Sequence, residues 1–89
     1  MLKIRFLGNY YKSLSRLLEE QPELSPEIDK RVKWFVNNPE DTRLDNHALR
    51  ENLEGKCAFS ITEDIRVVYE RLGKTTVRFL VIGGHVEVY

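Results

Sequence analysis

The sequence predicts an α+β domain in which an N-terminal strand and two amphipathic helices come first and a meander of antiparallel strands follows. Two observations carry this. Apolar residues at Tyr10, Leu14, Leu17 and Leu18, and again at Ile28, Val32, Phe35 and Val36, recur at the spacing of one helical face. From Lys56 onward the period shortens to the two residues of a strand. At 89 residues the chain makes one domain, residues 1–89. Each helix must bury its stripe on the sheet, so both helices are expected on one face of about four strands, leaving the other face for function.

A first strand is expected at Leu2–Leu7, where apolar and basic residues alternate. A helix should then run from about Asn9, a candidate N-cap, to Gln21, and Pro22 ends it. Ser25-Pro26 reads as the next helix start, with Ser25 as N-cap, and Asn37-Asn38-Pro39 as its stop. Trp34 lies off the apolar stripe and is expected to cover a neighbouring edge. The short link between these helices implies an antiparallel helical hairpin. Residues 40–55 are polar and read mainly as a loop, with room for one helical turn. Strands are expected at Lys56–Thr62, Ile65–Leu72 and Thr75–Ile82, with turns at Glu63-Asp64 and Gly73-Lys74. Gly83-Gly84 should permit a bend, and Val86–Val88 could add a short last strand. The expected core is Ile28, Val32, Phe35, Ile61, Val67, Val77, Phe79 and Val81. By alternation Arg66, Val68 and Glu70 belong to the opposite face.

Fourteen basic and fourteen acidic residues cancel. Nucleic-acid binders usually carry a basic surplus, so any such site must be a local patch. One is present: residues 65–82 hold Arg66, Arg71, Lys74 and Arg78 against a single acid, Glu70. The lone cysteine, Cys57, makes no intramolecular disulfide and reads as a buried, inert thiol. No metal-ligand spacing, phosphate loop or serine-centred motif is present, so no cofactor and no metal are expected. No apolar run or leader pattern suggests a membrane segment or export, and a cytoplasmic location is expected.

The residues able to do chemistry are His47, Asp64, Arg66, His85 and Tyr89. In an antiparallel meander the start of the second strand lies beside the end of the third, which brings Asp64 and Arg66 towards His85. His47 can join them if its loop folds back over the sheet. Two imidazoles, a guanidinium and a carboxylate suit phosphodiester cleavage: one group takes the 2′-hydroxyl proton, one protonates the leaving oxygen, and the cation balances the phosphorane. Plainer roles stand beside these. Asp64 could be a turn residue, Arg66 a solvated partner of Glu70 or Glu63, and Tyr89 an aromatic packed on the sheet rim. Both histidines could be ordinary loop residues.

At His47-Ala48-Leu49, Gly55-Lys56, Phe59-Ser60-Ile61, Asp64-Ile65-Arg66-Val67-Val68-Tyr69 and Ile82-Gly83-Gly84-His85-Val86-Glu87-Val88-Tyr89 the chain resembles the RelE/ParE toxin superfamily, in particular YafQ-like and RelE/StbE-type mRNA interferases. The resemblance implies a strand and helical hairpin packed on a small antiparallel sheet. It implies a toxin of a type II toxin–antitoxin system that cleaves mRNA on the ribosome and is inhibited by a cognate antitoxin. Under it His47, Asp64, Arg66 and His85 are the catalytic residues, and Lys56, Arg78 and Tyr89 bind substrate. Ser60 departs from the pattern, standing where YafQ-like toxins can carry another histidine. Two other readings share the fold: a ParE-like inhibitor of DNA gyrase, which generally lacks the histidine pair, and an inactive relative that only binds an antitoxin.

Overall fold

A computed structural model describes residues 1–49 and 55–84. The described chain folds as β1 (Lys3–Phe6), α1 (Gly8–Glu20), α2 (Ser25–Asn37), β2 (His47–Ala48), β3 (Lys56–Ser60), β4 (Ile65–Arg71) and β5 (Thr76–Gly84), with short 3₁₀ turns at Pro22–Leu24 and Thr42–Leu44. Among the described residues the sheet is five-stranded in the order β1-β5-β4-β3-β2.

Both helices lie on one face, as their apolar stripes require. Tyr10 and Leu17 of α1 and Ile28 and Phe35 of α2 share one buried cluster with Phe59, Ile61, Val67, Tyr69, Val77 and Phe79. Phe35 is its hub: it stacks on Phe59 with centroids 4.4 Å apart and meets Tyr69 edge-on at 4.8 Å. Trp34 covers the rim, where the Arg43 guanidinium lies 3.5 Å from its ring centroid. Cys57 is half-buried against the same cluster.

The sheet is mixed rather than antiparallel. β1 runs parallel to β5, with Lys3 beside Thr76 and Phe6 beside Phe79. Alternation places Leu2–Leu7 in a sheet but says nothing of its direction relative to its partner. Beyond the end of β1 the edge of β5 is covered by α1, where Ser13 Oγ accepts the Ile82 N–H at 3.0 Å. The fifth strand is β2, two residues within the segment read as a loop. That segment also forms the single turn at Thr42–Leu44, capped by Asp41, which accepts the Arg43 N–H at 3.0 Å.

Other expectations need correction. Asn9 lies inside α1, and Leu7 takes the cap position with no side-chain cap. Ser25 is the first residue of α2 rather than its cap, because the 3₁₀ turn runs straight into the helix. Gly83 and Gly84 do not bend away: they continue β5, paired with Arg66 and Ile65. The link between β4 and β5 spans residues 72–75, longer than a Gly73-Lys74 turn. Val32 is only partly buried. Val81 faces the other side, because a bulge between Val68 and Tyr69 leaves Leu80 unpaired and reverses the alternation of β5. The strand considered at Val86–Val88 lies outside the described residues.

Burial raises the phenols of Tyr10 and Tyr69 to about 12. Between the ordinary tyrosine value near 10 and this raised one, the unfolded chain holds fewer protons than the folded chain. Their stabilising effect is therefore complete below about pH 10 and is lost as the pH climbs towards 12. Denaturant midpoints should fall across this interval, and replacing both tyrosines with Phe should flatten the fall.

Candidate functional site

The sheet face without helices carries the candidate residues in cross-strand rows, because directly paired residues share a face. One row runs Arg5–Arg78–Glu70–Lys56 across β1, β5, β4 and β3. The next runs Val81–Val68–Ala58–His47 and is apolar up to its last member. The third runs Gly83–Arg66–Ser60. The segment ahead of β2 folds back to the sheet edge, as His47 required, and pairing with Ala58 puts His47 on the functional face.

Arg66 is held at one end of its fork. Its Nη1 donates to Ser60 Oγ at 2.9 Å and lies 3.7 Å from Asp45 Oδ2. The partners expected from sequence, Glu70 and Glu63, are not the ones it takes. Among the described residues Nε and Nη2 of Arg66 have no hydrogen-bond partner, and Gly83 puts no side chain beside them. That leaves donors of a fixed cation open to an anion. Ser60, 9% exposed, thus acts as an anchor at the position where the resemblance allows a histidine.

His47 is exposed, and its Nδ1 lies 2.9 Å from the backbone oxygen of Asp45. A carbonyl only accepts, so this contact suits the tautomer with its proton on Nδ1, in which a neutral ring keeps its lone pair on Nε2. Asp45 therefore touches both candidates. Sequence reasoning missed it, although an Asp-Asn pair at a chain reversal is a signal for left-handed backbone.

Arg78 is tied to Glu70 through Nε at 3.0 Å and through Nη2, in both cases to Oε1. With Lys56 this pair rims a concavity of about 300 Å³ floored by Val68, Leu80 and Val81. Asp64 is exposed, with its N–H donating to Thr62 Oγ1 at 3.2 Å, the hydrogen bond of a turn. Its carboxylate lies against Gly84, 3.7 Å from where a Cβ would stand. The structure thus gathers His47, Arg66, Lys56 and Arg78 on one face with Asp64 at its end; His85 and Tyr89 lie outside the described residues. A second concavity, between the helices and β1, is lined by Phe6, Tyr11, Leu14, Val32 and Lys33. Among the described residues no cluster of His, Cys, Asp and Glu could hold a metal ion, and no helix is long and apolar enough to cross a membrane.

No protein-family model and no curated protein matches the sequence. Solved structures do match, toxins among them. YafQ from E. coli strain BL21(DE3) is 18% identical with a TM-score of 0.82, over 100% of this chain and 99% of that one. YafQ in the E. coli DinJ–YafQ complex is 16% identical with a TM-score of 0.82, over 100% and 99%. A YoeB/ParE toxin from Agrobacterium tumefaciens is 14% identical with a TM-score of 0.77, over 94% and 99%. The chain therefore has the RelE-like fold of the YafQ and YoeB/ParE toxins, the fold its motifs resemble.

Proposed function

We propose that this chain is the toxin of a type II toxin–antitoxin pair, acting in the cytoplasm as a ribosome-dependent mRNA endoribonuclease. The observation that carries the reading is Arg66: a guanidinium anchored at one nitrogen, its other donors unpartnered among the described residues, on the same helix-free face as an imidazole whose Nε2 has no partner among them. The toxin fold supports it, as do Arg5 and Lys56 on that face in the row that also holds the Arg78–Glu70 pair, although the chain as a whole is neutral.

In this reading His47 Nε2 removes the 2′-hydroxyl proton and the oxygen attacks the adjacent phosphorus. The P–O5′ bond breaks, and the leaving O5′ takes a proton from His85, the general acid. Products are a 2′,3′-cyclic phosphate and a 5′-hydroxyl. Arg66 balances the phosphorane charge. Asp64 is the alternative base, or the group that orients a histidine. Lys56 and Arg78 hold the RNA backbone, and Tyr89 stacks on or orients a base. The partner is a cognate antitoxin whose acidic, amphipathic segment covers the basic side near Arg66, Arg71 and Arg78 or fills the groove beside the helices; the DinJ–YafQ complex is a precedent in the same fold.

The test is primer extension on mRNA in translating ribosomes, with and without the small protein encoded beside this chain. Cleavage that the neighbour suppresses, with a stable complex on size exclusion, is the expected result. Growth arrest without cleavage but with gyrase inhibition would move the chain to the ParE-like reading. Antitoxin binding with neither activity would make it an inactive relative.

A further inference from the structure

We infer that Asp45 is a positioning residue that joins the two catalytic candidates, holding the His47 ring in the tautomer a base requires while its carboxylate faces Arg66. The inference rests on the nuclease reading for its consequence but not for its geometry. Asp45 adopts φ 49 and ψ 46, the one non-glycine residue with positive φ among those described. Such backbone is disfavoured for residues with a Cβ and persists where the surroundings hold it.

The surroundings do hold it. Leu44 before it is fully buried. Asn46 after it is pinned on both sides: its Oδ1 accepts the Tyr69 hydroxyl at 2.8 Å, and its Nδ2 donates to Pro39 O at 2.9 Å. Tyr69 is itself a core residue, so the turn is tied to the centre of the fold. With both neighbours fixed, the left-handed turn aims the Asp45 carbonyl at His47 Nδ1, 2.9 Å away, and brings Oδ2 to 3.7 Å from Arg66.

The chemical consequence is specific. A free neutral imidazole favours the proton on Nε2, which would leave the outward nitrogen unable to accept one. The carbonyl of Asp45 reverses that preference. When Nε2 takes the 2′-hydroxyl proton, the ring becomes a cation, and its Nδ1–H bond to the carbonyl becomes charge-assisted and strengthens. The partner for the developing charge is thus built into the backbone.

The experiment reads the nitrogen-15 shifts of the His47 ring, above its titration range, in the full chain and in Asp45→Asn and Asp45→Val. Wild type should carry its proton on Nδ1. Asn tolerates left-handed backbone and so keeps the backbone carbonyl aimed at the ring, and Asp45→Asn should keep the tautomer. Val is β-branched and does not tolerate it, so Asp45→Val should move the proton to Nε2. Its kcat for cleavage should fall by about 10²-fold with KM changed much less. A wild-type ring protonated on Nε2, or an unchanged tautomer in folded Asp45→Val, overturns the inference. If Asp45→Val does not fold, the wild-type tautomer decides alone. An absence of cleavage by wild type would sink the nuclease reading while the ring spectrum still judges Asp45.

Discussion

Arg66→Ala should lower mRNA cleavage by about 10²–10³-fold, the usual cost of removing one fixed charge-stabilising group from a transition state. The loss should appear in kcat, because the phosphorane gathers its charge only as the 2′-oxygen attacks. Arg66→Lys should rescue little. The wild-type side chain spends Nη1 on Ser60 and leaves Nε and Nη2 in a fixed plane. A lysine presents one ammonium and cannot both hold Ser60 and present that plane. His85→Ala should be at least as damaging, since a proton-transfer group contributes about 10²–10⁴-fold. Primer extension in translating ribosomes measures both, with melting curves to confirm that each variant is folded. Arg66→Ala that cleaves like wild type would remove the cation from the mechanism; equal cleavage by His85→Ala would remove the acid.

The parts of this molecule legible from sequence are those set by periodicity. Two stripes at helical spacing and the alternation of β3, β4 and β5 were enough to put both helices on one face and Arg66, Val68 and Glu70 on the other. Features set by a partner elsewhere in the chain were not. The direction of β1 depends on β5, some seventy residues away, and a strand of alternating residues pairs either way round. The burial of Val81 turned on one extra residue at the bulge, which a period-two reading cannot contain. The helix starts went wrong for a local reason: Asn9 and Ser25 are good caps by type, but Leu7 and a 3₁₀ turn already supplied the chain reversal.

The candidate site divides in the same way. Arg66 was placed by alternation, His47 on condition that its loop folds back, Arg78 as part of the basic patch and Lys56 only through the resemblance; the sheet carries all four on one face. What sequence did not yield was how they are held. Arg66 looked like a partner for Glu70, four residues along the strand on the same face, yet Glu70 is taken by Arg78 across the ladder. Arg66 turns instead to Ser60, its own cross-strand neighbour, and to Asp45 from a segment read as loop. Asp64 keeps both of its readings: its backbone does the work of a turn, while its carboxylate lies at the Gly84 end of β5, from which the chain runs on to His85.

Phe79→Ala should destabilise the fold by about 3–5 kcal/mol, the range for emptying a buried aromatic site. Phe79 has no exposed surface and touches every layer of the core. Its ring centroid is 5.4 Å from Tyr10 on α1, 5.8 Å from Phe35 on α2, 5.7 Å from Phe59 on β3 and 5.7 Å from Phe6 on β1. A smaller side chain leaves four rings around one void, and none can fill it without losing another contact. For a domain of this size each kcal/mol lowers Tm by roughly 4–8 °C, so the shift should exceed ten degrees. Phe6→Ala is the internal comparison. Phe6 is 43% exposed at the open edge of the same aromatic group, so water can enter its place and the cost should be clearly smaller. Equal midpoints for the two variants would mean that the core is not centred on β5. A much larger loss from Phe79→Ala than from Phe6→Ala would locate the stability of the fold beneath the strand that also carries Arg78 and leads to His85.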